Sequence, residues 1–165
     1  MMVGFEARPW AALGSDGSSY SDLPHHQNTW ETNPTINSKA GAVLTDYSGG
    51  RRGAGLDPAN PQLEVARWLG DLELVYPGAT NEATREGGQY HVHLEHWPSN
   101  RLTQGSYTCY QPGQFTTVAG TEGKPVGNVL FAGEHTNSFY EFQGFMEGAL
   151  LSGAAAAQQI LRPDQ

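Results

Sequence analysis

The sequence predicts an α+β or α/β chain, and three observations carry that reading. Residues 61 to 76 carry apolar side chains at helical spacing, and residues 89 to 97 alternate apolar with polar. A short apolar run at 128–132, bounded by glycine, leads through a polar loop into a small-residue helix that runs almost to the chain end.

Taken in order, Met1 to Phe5 reads as a strand stopped by Arg8-Pro9, and "LGSDGSSYSDLP" as a loop. "HHQNTWET" and "AGAVLTDYS" predict two further strands, and "GGRRGAG" a turn or mobile link. The next helix has Asn60 as N-cap, Pro61 at its first position and Pro77-Gly78 at its end. Leu63, Ala66, Leu69, Leu72 and Val75 are expected to share one face of it. In "GQYHVHLEHW", Tyr90, Val92 and Leu94 fall on one face of a strand, and His91, His93, Glu95 and Trp97 on the other. "RLTQGSYTCYQPGQ" is turn-rich. The last helix, 144–161, starts at or just after Phe145 and carries a stripe of Met146, Ala149, Leu150, Gly153 and Ala157.

Bulk numbers exclude several classes. The length of 165 residues fits one domain or two small lobes. The charged fraction of 16% lies below the ~25% usual for soluble domains, and the 21 glycines are in excess. Nine basic against seventeen acidic residues give a net charge of −8, with Lys39 and Lys124 the only lysines and Arg51-Arg52 the only basic doublet. A nucleic-acid binder needs a basic face, so that class is excluded. One cysteine, Cys109, rules out an intrachain disulfide framework and fits a reducing, cytoplasmic compartment. No window approaches the ~20 apolar residues of a membrane span. "MMVGFEARPW" lacks a signal-peptide pattern and reads as a strand already under way, so a missing front end is expected.

Candidate chemistry narrows quickly. His91 and His93 share a strand face with His25-His26 elsewhere, but a zinc site needs further ligands in tetrahedral reach, and the polar face of a half-exposed strand explains them; no metal is expected. Cys109 has no basic partner nearby and reads as a buried thiol. Ser18, Ser19, Ser106 and Ser152 lack a nucleophile-elbow context. The C-terminal stretch is more informative. Gly133-Glu134 stand at a strand's carboxyl end, where open α/β sheets place ligands. A carboxylate there suits hydroxyl donors, such as those of a ribose or ribityl chain. Unpaired N–H groups near Phe145 and Met146 suit an oxygen carrying partial negative charge. An ordinary β-loop-α closing unit is the plain alternative.

"NVLFAGEHTNSFYEFQGFMEGALLSGAAAAQQI" closely resembles the C-terminal flavin-binding segment of the FAD-dependent amine oxidases, a family that includes monoamine, polyamine and L-amino-acid oxidases. "HWPSNRLTQGSYTCYQPGQ" and "VGFEARPW" resemble further segments of that family in the same order. The resemblance implies part of a mixed-sheet substrate domain over 1–103, and the closing strand-loop-helix of a Rossmann-like FAD domain over 104–165. It places Gly133 and Glu134 by the phosphate-ribityl region of FAD, and Gly144, Phe145 and Met146 at its pyrimidine edge. Tyr107 and Phe145 would be aromatic walls before the flavin ring, with Trp97 near that cavity.

Departures from the family pattern shape the expectation. Ser106 stands where some monoamine oxidases tether the flavin through cysteine, so FAD is expected to be non-covalent. Phe145 replaces a common tyrosine. The Gly-x-Gly-x-x-Gly fingerprint is absent, and the lysine that faces the flavin would fall before Met1. The expected function is oxidation of an amine or amino acid to an imine with O2 as acceptor, through FAD that this chain alone holds weakly or not at all. Its partners would be the small-molecule substrate, the missing N-terminal FAD-binding part and a second copy of itself. A non-enzymatic interaction domain derived from the oxidase fold is the alternative, with a histidine-based metal binder behind it.

Overall fold

A computed structural model describes residues 1–32, 41–137 and 142–162. They form two compact units, Met1–Gln104 and Gly105–Gln165.

The first unit is one sheet with a helix across one face. Its elements are β1 (Met2–Phe5), β2 (Ser19–Tyr20), β3 (Asn28–Glu31), β4 (Ala42–Asp46), α1 (Gly50–Ala54), α2 (Pro61–Val75), α3 (Ala79–Glu82), β5 (Arg85–Glu86), β6 (Gln89–Tyr90) and β7 (Val92–His93). The three strands read at the front of the chain are β1, β3 and β4. A single helical turn, Pro9–Leu13, leads into the expected loop at 13–24, which contains the short β2, and the expected link at 49–55 contains α1.

Five strands lie in the order β2-β3-β4-β1-β7, and β5-β6 form a separate hairpin. Every pairing among the described residues is antiparallel. Crossing over through α2 does bring β7 back parallel to β4, but β1 lies between them and makes both contacts antiparallel.

Alternation along β1 and β4 turns Val3, Phe5, Ala42, Leu44 and Asp46 to the covered face. Over them lies α2, burying Val65, Trp68, Leu69 and Leu72. That stripe corrects the expected face: Leu63 is 48% exposed and Ala66 is exposed. Steps of three residues drift about 60° round a helix each time, so the five residues joined by four such steps cannot share one face. Val65, Trp68, Leu69 and Leu72, at successive steps of three, one and three residues, can. Phe5 meets Trp10 edge-on at 5.2 Å and Trp68 at 6.3 Å, closing the core.

Pro61 opens α2 as expected, while the Asn60 side chain turns back to Asp57 rather than capping the helix. Beyond its end, the Glu73 carboxylate accepts from the N–H groups of Gly78 and Thr80 at 2.6 and 2.9 Å. The strand expected at 88–97 is split at His91, because β6 pairs with β5 and β7 with β1. The alternation of burial holds across the split: Tyr90, Val92 and Leu94 are half-buried, and His91, His93, Glu95 and Trp97 exposed.

The second unit contains α4 (Gln114–Thr117), a turn at Glu134–Thr136 and α5 (Met146–Leu161). The strand expected at 128–132 is not formed. Its only ladder is a bridge between Val126 and Val129, because no described residue of this unit offers a neighbouring strand to take the remaining N–H and C=O groups. The final helix does form, with Phe145 as its N-cap. Gly148 is its one buried residue, so the stripe of Met146, Ala149, Leu150, Gly153 and Ala157 faces outward.

Candidate functional site

The second unit gathers six of the seven expected site residues, and Glu134 ties them together. Its Oε1 accepts from the Thr108 N–H at 2.8 Å and the Thr108 hydroxyl at 2.9 Å. Its Oε2 accepts from the Gly144 N–H at 2.6 Å. One carboxylate thus fixes the residue after Tyr107 and the residue before Phe145. Charge-assisted bonds of this length are about twice as strong as neutral ones.

Two glycines make the loop possible. Gly144 has φ +83°, a left-handed conformation, and a Cβ there would lie 3.8 Å from the Tyr107 ring. At Gly148 a Cβ would sit 2.2 Å from the Phe142 carbonyl oxygen, so only glycine lets the incoming chain fold this close to the helix start.

Gly133 is held by Ser152. The Gly133 N–H donates to the Ser152 hydroxyl at 2.9 Å, and that hydroxyl donates to the Gly133 carbonyl at 3.0 Å. Thr108 and Ser152 are the two residues that sequence reasoning missed as parts of this framework. Ser152 stands one turn beyond Gly148 on α5, and its spacing from the glycines was the available signal.

Phe145 provides no side-chain cap, so the leading N–H groups of α5 have no acceptor from it. Phe145, Met146 and Tyr107 are 62%, 91% and 54% exposed. Two aromatic faces and an uncapped helix start are therefore presented outward. Further along α5, a hollow of about 280 Å³ is lined by Leu130, Phe131, Leu151, Ser152 and Ala155.

Trp97 belongs to the first unit, where it opens the turn Trp97–Ser99 and is half exposed. Cys109 is exposed, which corrects the buried thiol: its segment forms no helix or strand and runs over the surface. The histidines go separate ways. His91 faces Glu86 at 3.2 Å, His96 bonds Ser99 and the Gly53 carbonyl, and His26 is buried against the Ser19 hydroxyl. Burial holds the His26 ring below its ordinary pKa, with the Arg52 charge adding to the effect. No three metal-ligating side chains come together among the described residues. Nor is any described helix long and apolar enough to cross a membrane.

The fold is that of an amine oxidase. It matches putrescine oxidase bound to putrescine with a TM-score of 0.72 at 18% identity, over 98% of this chain and 34% of that one. The chain belongs to the flavin-containing amine oxidoreductase family, whose model matches residues 1–161. It is 30% identical over 97 residues to an L-amino-acid oxidase of Bungarus fasciatus, covering 59% of this chain and 18% of the relative. It is 38% identical over 72 residues to amine oxidase B of Rattus norvegicus, covering 43% and 14%. The matches therefore span about a third of the solved structure and under a fifth of these curated relatives.

Proposed function

We propose that this chain supplies part of the substrate domain and the flavin-facing closing segment of an FAD-dependent oxidase acting on amines or amino acids. The observation that carries the reading is the Glu134 clamp, which holds Tyr107, Gly144, Phe145 and Met146 around the start of α5.

The residues present fit one edge of a flavin. An uncapped helix N-terminus favours an oxygen with negative charge by about 0.3–1 kcal/mol, and more when partly buried. Met146 would offer its backbone N–H to the pyrimidine edge. Gly144, with no Cβ, leaves space beside the Tyr107 ring. Gly133 and Glu134 would stand by the ribityl chain, where Glu134 keeps lone pairs beyond those used by Thr108 and Gly144. Ser106 gives no thiol, so the cofactor is held without a covalent bond.

A bound FAD would supply two-electron oxidation: the neutral amine would give up a hydride equivalent from Cα–H and a proton from nitrogen to become the imine, and O2 would take up the two electrons and two protons as hydrogen peroxide. The protein's share is orientation and exclusion of water. Tyr107 and Phe145 would present π-faces that align a neutral amine and shield its C–H from solvent. Phe145 lacks a hydroxyl, so its contribution is apolar contact alone.

In this chain alone FAD affinity should be weak. A few hydrogen bonds of about 0.5–1.5 kcal/mol each stand against an association cost of ~4 kcal/mol or more. The exposed Leu150, Leu151, Ile160 and Leu161 of α5 support association with the remaining FAD-binding part or with a second copy. Two measurements test the proposal. The protein carrying this segment should show a flavin absorption band and release peroxide with amines or L-amino acids. The chain alone should quench FAD fluorescence weakly but saturably, without turnover. Absence of both the flavin band and the quenching would overturn it.

A further inference from the structure

Among the described residues, six buried side-chain atoms lack a hydrogen-bond partner: His26 Nδ1, Asn28 Oδ1, Asp46 Oδ1, Ser48 Oγ, Arg52 Nη1 and Trp68 Nε1. All belong to the first unit, on the segment before β3, on β3, the end of β4, α1, α2 and the segment between β4 and α1. Asp46, Arg52 and Trp68 line one cavity of about 210 Å³, together with His25, Arg51, Glu64 and Arg67. Asp46 is 2% exposed and Trp68 is 1% exposed, so their unpaired atoms have no bulk water to turn to. Burying a polar atom without a partner is unfavourable, and several lining one space point to a polar occupant.

The charges select the occupant. Three of the chain's nine basic residues line this cavity, in a protein whose net charge is −8. Glu64 is already engaged by Arg67 at 3.1 Å. Neither Arg51 nor Arg52 forms an ion pair with a described carboxylate. Arg52 gives its Nη2 to the Leu23 carbonyl, which leaves Nη1 as a charged donor without an acceptor. Trp68 Nε1 is a second donor in the same wall. Ser48 and Trp68 lie toward Asp46 and favour its charged form, yet neither closes a hydrogen bond on Oδ1.

We propose that this cavity is a binding site for a small carboxylate, with the carboxylate oxygens received by Arg52 Nη1 and Trp68 Nε1 and the far end of the ligand facing Asp46. Water takes roughly 30 Å³ per molecule in the liquid, so the space suits a ligand of a few heavy atoms. A simple carboxylate and an α-amino acid share the recognised group. They differ in whether an ammonium reaches Asp46. The site is separate from the Glu134 clamp, and the inference does not depend on the flavin reading.

The test follows the indole N–H signals of the four tryptophans in a ¹⁵N-labelled protein, with Trp68 assigned through Trp68→Phe. Acetate and glycine are titrated separately at constant ionic strength against sodium chloride. The expected result is a saturable shift of the Trp68 signal with at least one probe. Tighter glycine binding would assign the ammonium to Asp46, and equal or tighter acetate binding would assign a simple carboxylate. Arg52→Gln should weaken binding at least tenfold. Arg51→Gln, at an exposed position, should weaken it by a smaller factor while leaving the other signals in place, so the test stands even if the Arg52 variant fails to fold. No saturable shift with either probe, an equal shift in chloride (an adventitious ion only), or affinity unchanged in both arginine variants would overturn the proposal.

Discussion

Glu134 and Gly144 are joined by a 2.6 Å hydrogen bond from the Gly144 N–H to the Glu134 carboxylate. With the two bonds from Thr108, it makes one side chain the tie between the Tyr107 and Phe145 segments. Glu134→Gln keeps one oxygen for Thr108 but turns an amide NH2 toward the Gly144 N–H, donor against donor. It should cost about 1–2 kcal/mol, as expected for charge-assisted bonds at a half-buried position. Urea unfolding measures the loss, and the Gly144 amide signal should move with it. A midpoint and an amide shift both equal to wild type would show that the tie carries no weight.

Tyr107→Ala and Phe145→Ala test the proposed aromatic walls in the complete, flavin-loaded enzyme that carries this segment. Each should lower kcat/KM by about 10²-fold, the scale of a misplaced reacting group, while the flavin content stays constant. Neither side chain holds the clamp: Glu134 bonds Thr108 and the Gly144 backbone. Steady-state rates unchanged in both variants would remove these residues from the site.

Arg8 and Glu31 form a forked ion pair at 2.7–3.1 Å, with side chains only 12% and 6% exposed. Trp10 adds its indole N–H to the same carboxylate at 3.3 Å. Removing one partner strands the other in the interior. Glu31→Ala should therefore cost about 3 kcal/mol, the lower end of the range for breaking buried pairs, because Arg8 retains some contact with water. The double variant Arg8→Ala, Glu31→Ala should lose less than the two single losses added together, which a double-mutant cycle reads directly.

Local chemistry made much of this legible in the sequence. Pro61 and Pro77-Gly78 bracket α2, alternation marked the exposed and half-buried sides of residues 90–97, and Phe145 stands where the last helix begins. What was not legible depends on partners distant in sequence. Residues 128–132 have strand composition, but a strand requires a neighbour to bond with. The face of α2 was set by Trp68 meeting Phe5 across the sheet, a contact between residues 63 positions apart. The sequence leads to the expectation that Glu134 faces a ligand, whereas the hold on Thr108 that the structure shows spans a sequence gap of 26 residues that no local pattern encodes.

Asp46 gives the protein a distinctive pH response. Burial is the largest effect on it and pushes its carboxyl up to about 6 from an ordinary 3.8, while the Met1 amino group, Arg52, Ser48 and Trp68 pull it partly back. Above about pH 6 the folded state must carry this charge in the interior, a penalty of about 3 kcal/mol for a shift of roughly two units. As the pH falls from 6 toward 3.8, folded Asp46 takes up a proton while the unfolded chain remains ionised. The penalty therefore disappears over that window, and below it the effect is flat. Asp16, Asp57 and Glu73 act in the opposite sense: hydrogen bonds hold their pKa values down, so their stabilisation is lost as the pH falls. The difference between wild type and Asp46→Asn isolates the Asp46 contribution. Asp46→Asn should be the more stable protein at pH 7.5, by about 1–3 kcal/mol after allowance for weakened hydrogen bonds. That advantage should shrink to near zero by pH 4. Urea midpoints of both proteins from pH 4 to pH 8 give the comparison, and a gap that stays constant or widens toward low pH would show that Asp46 carries no buried charge.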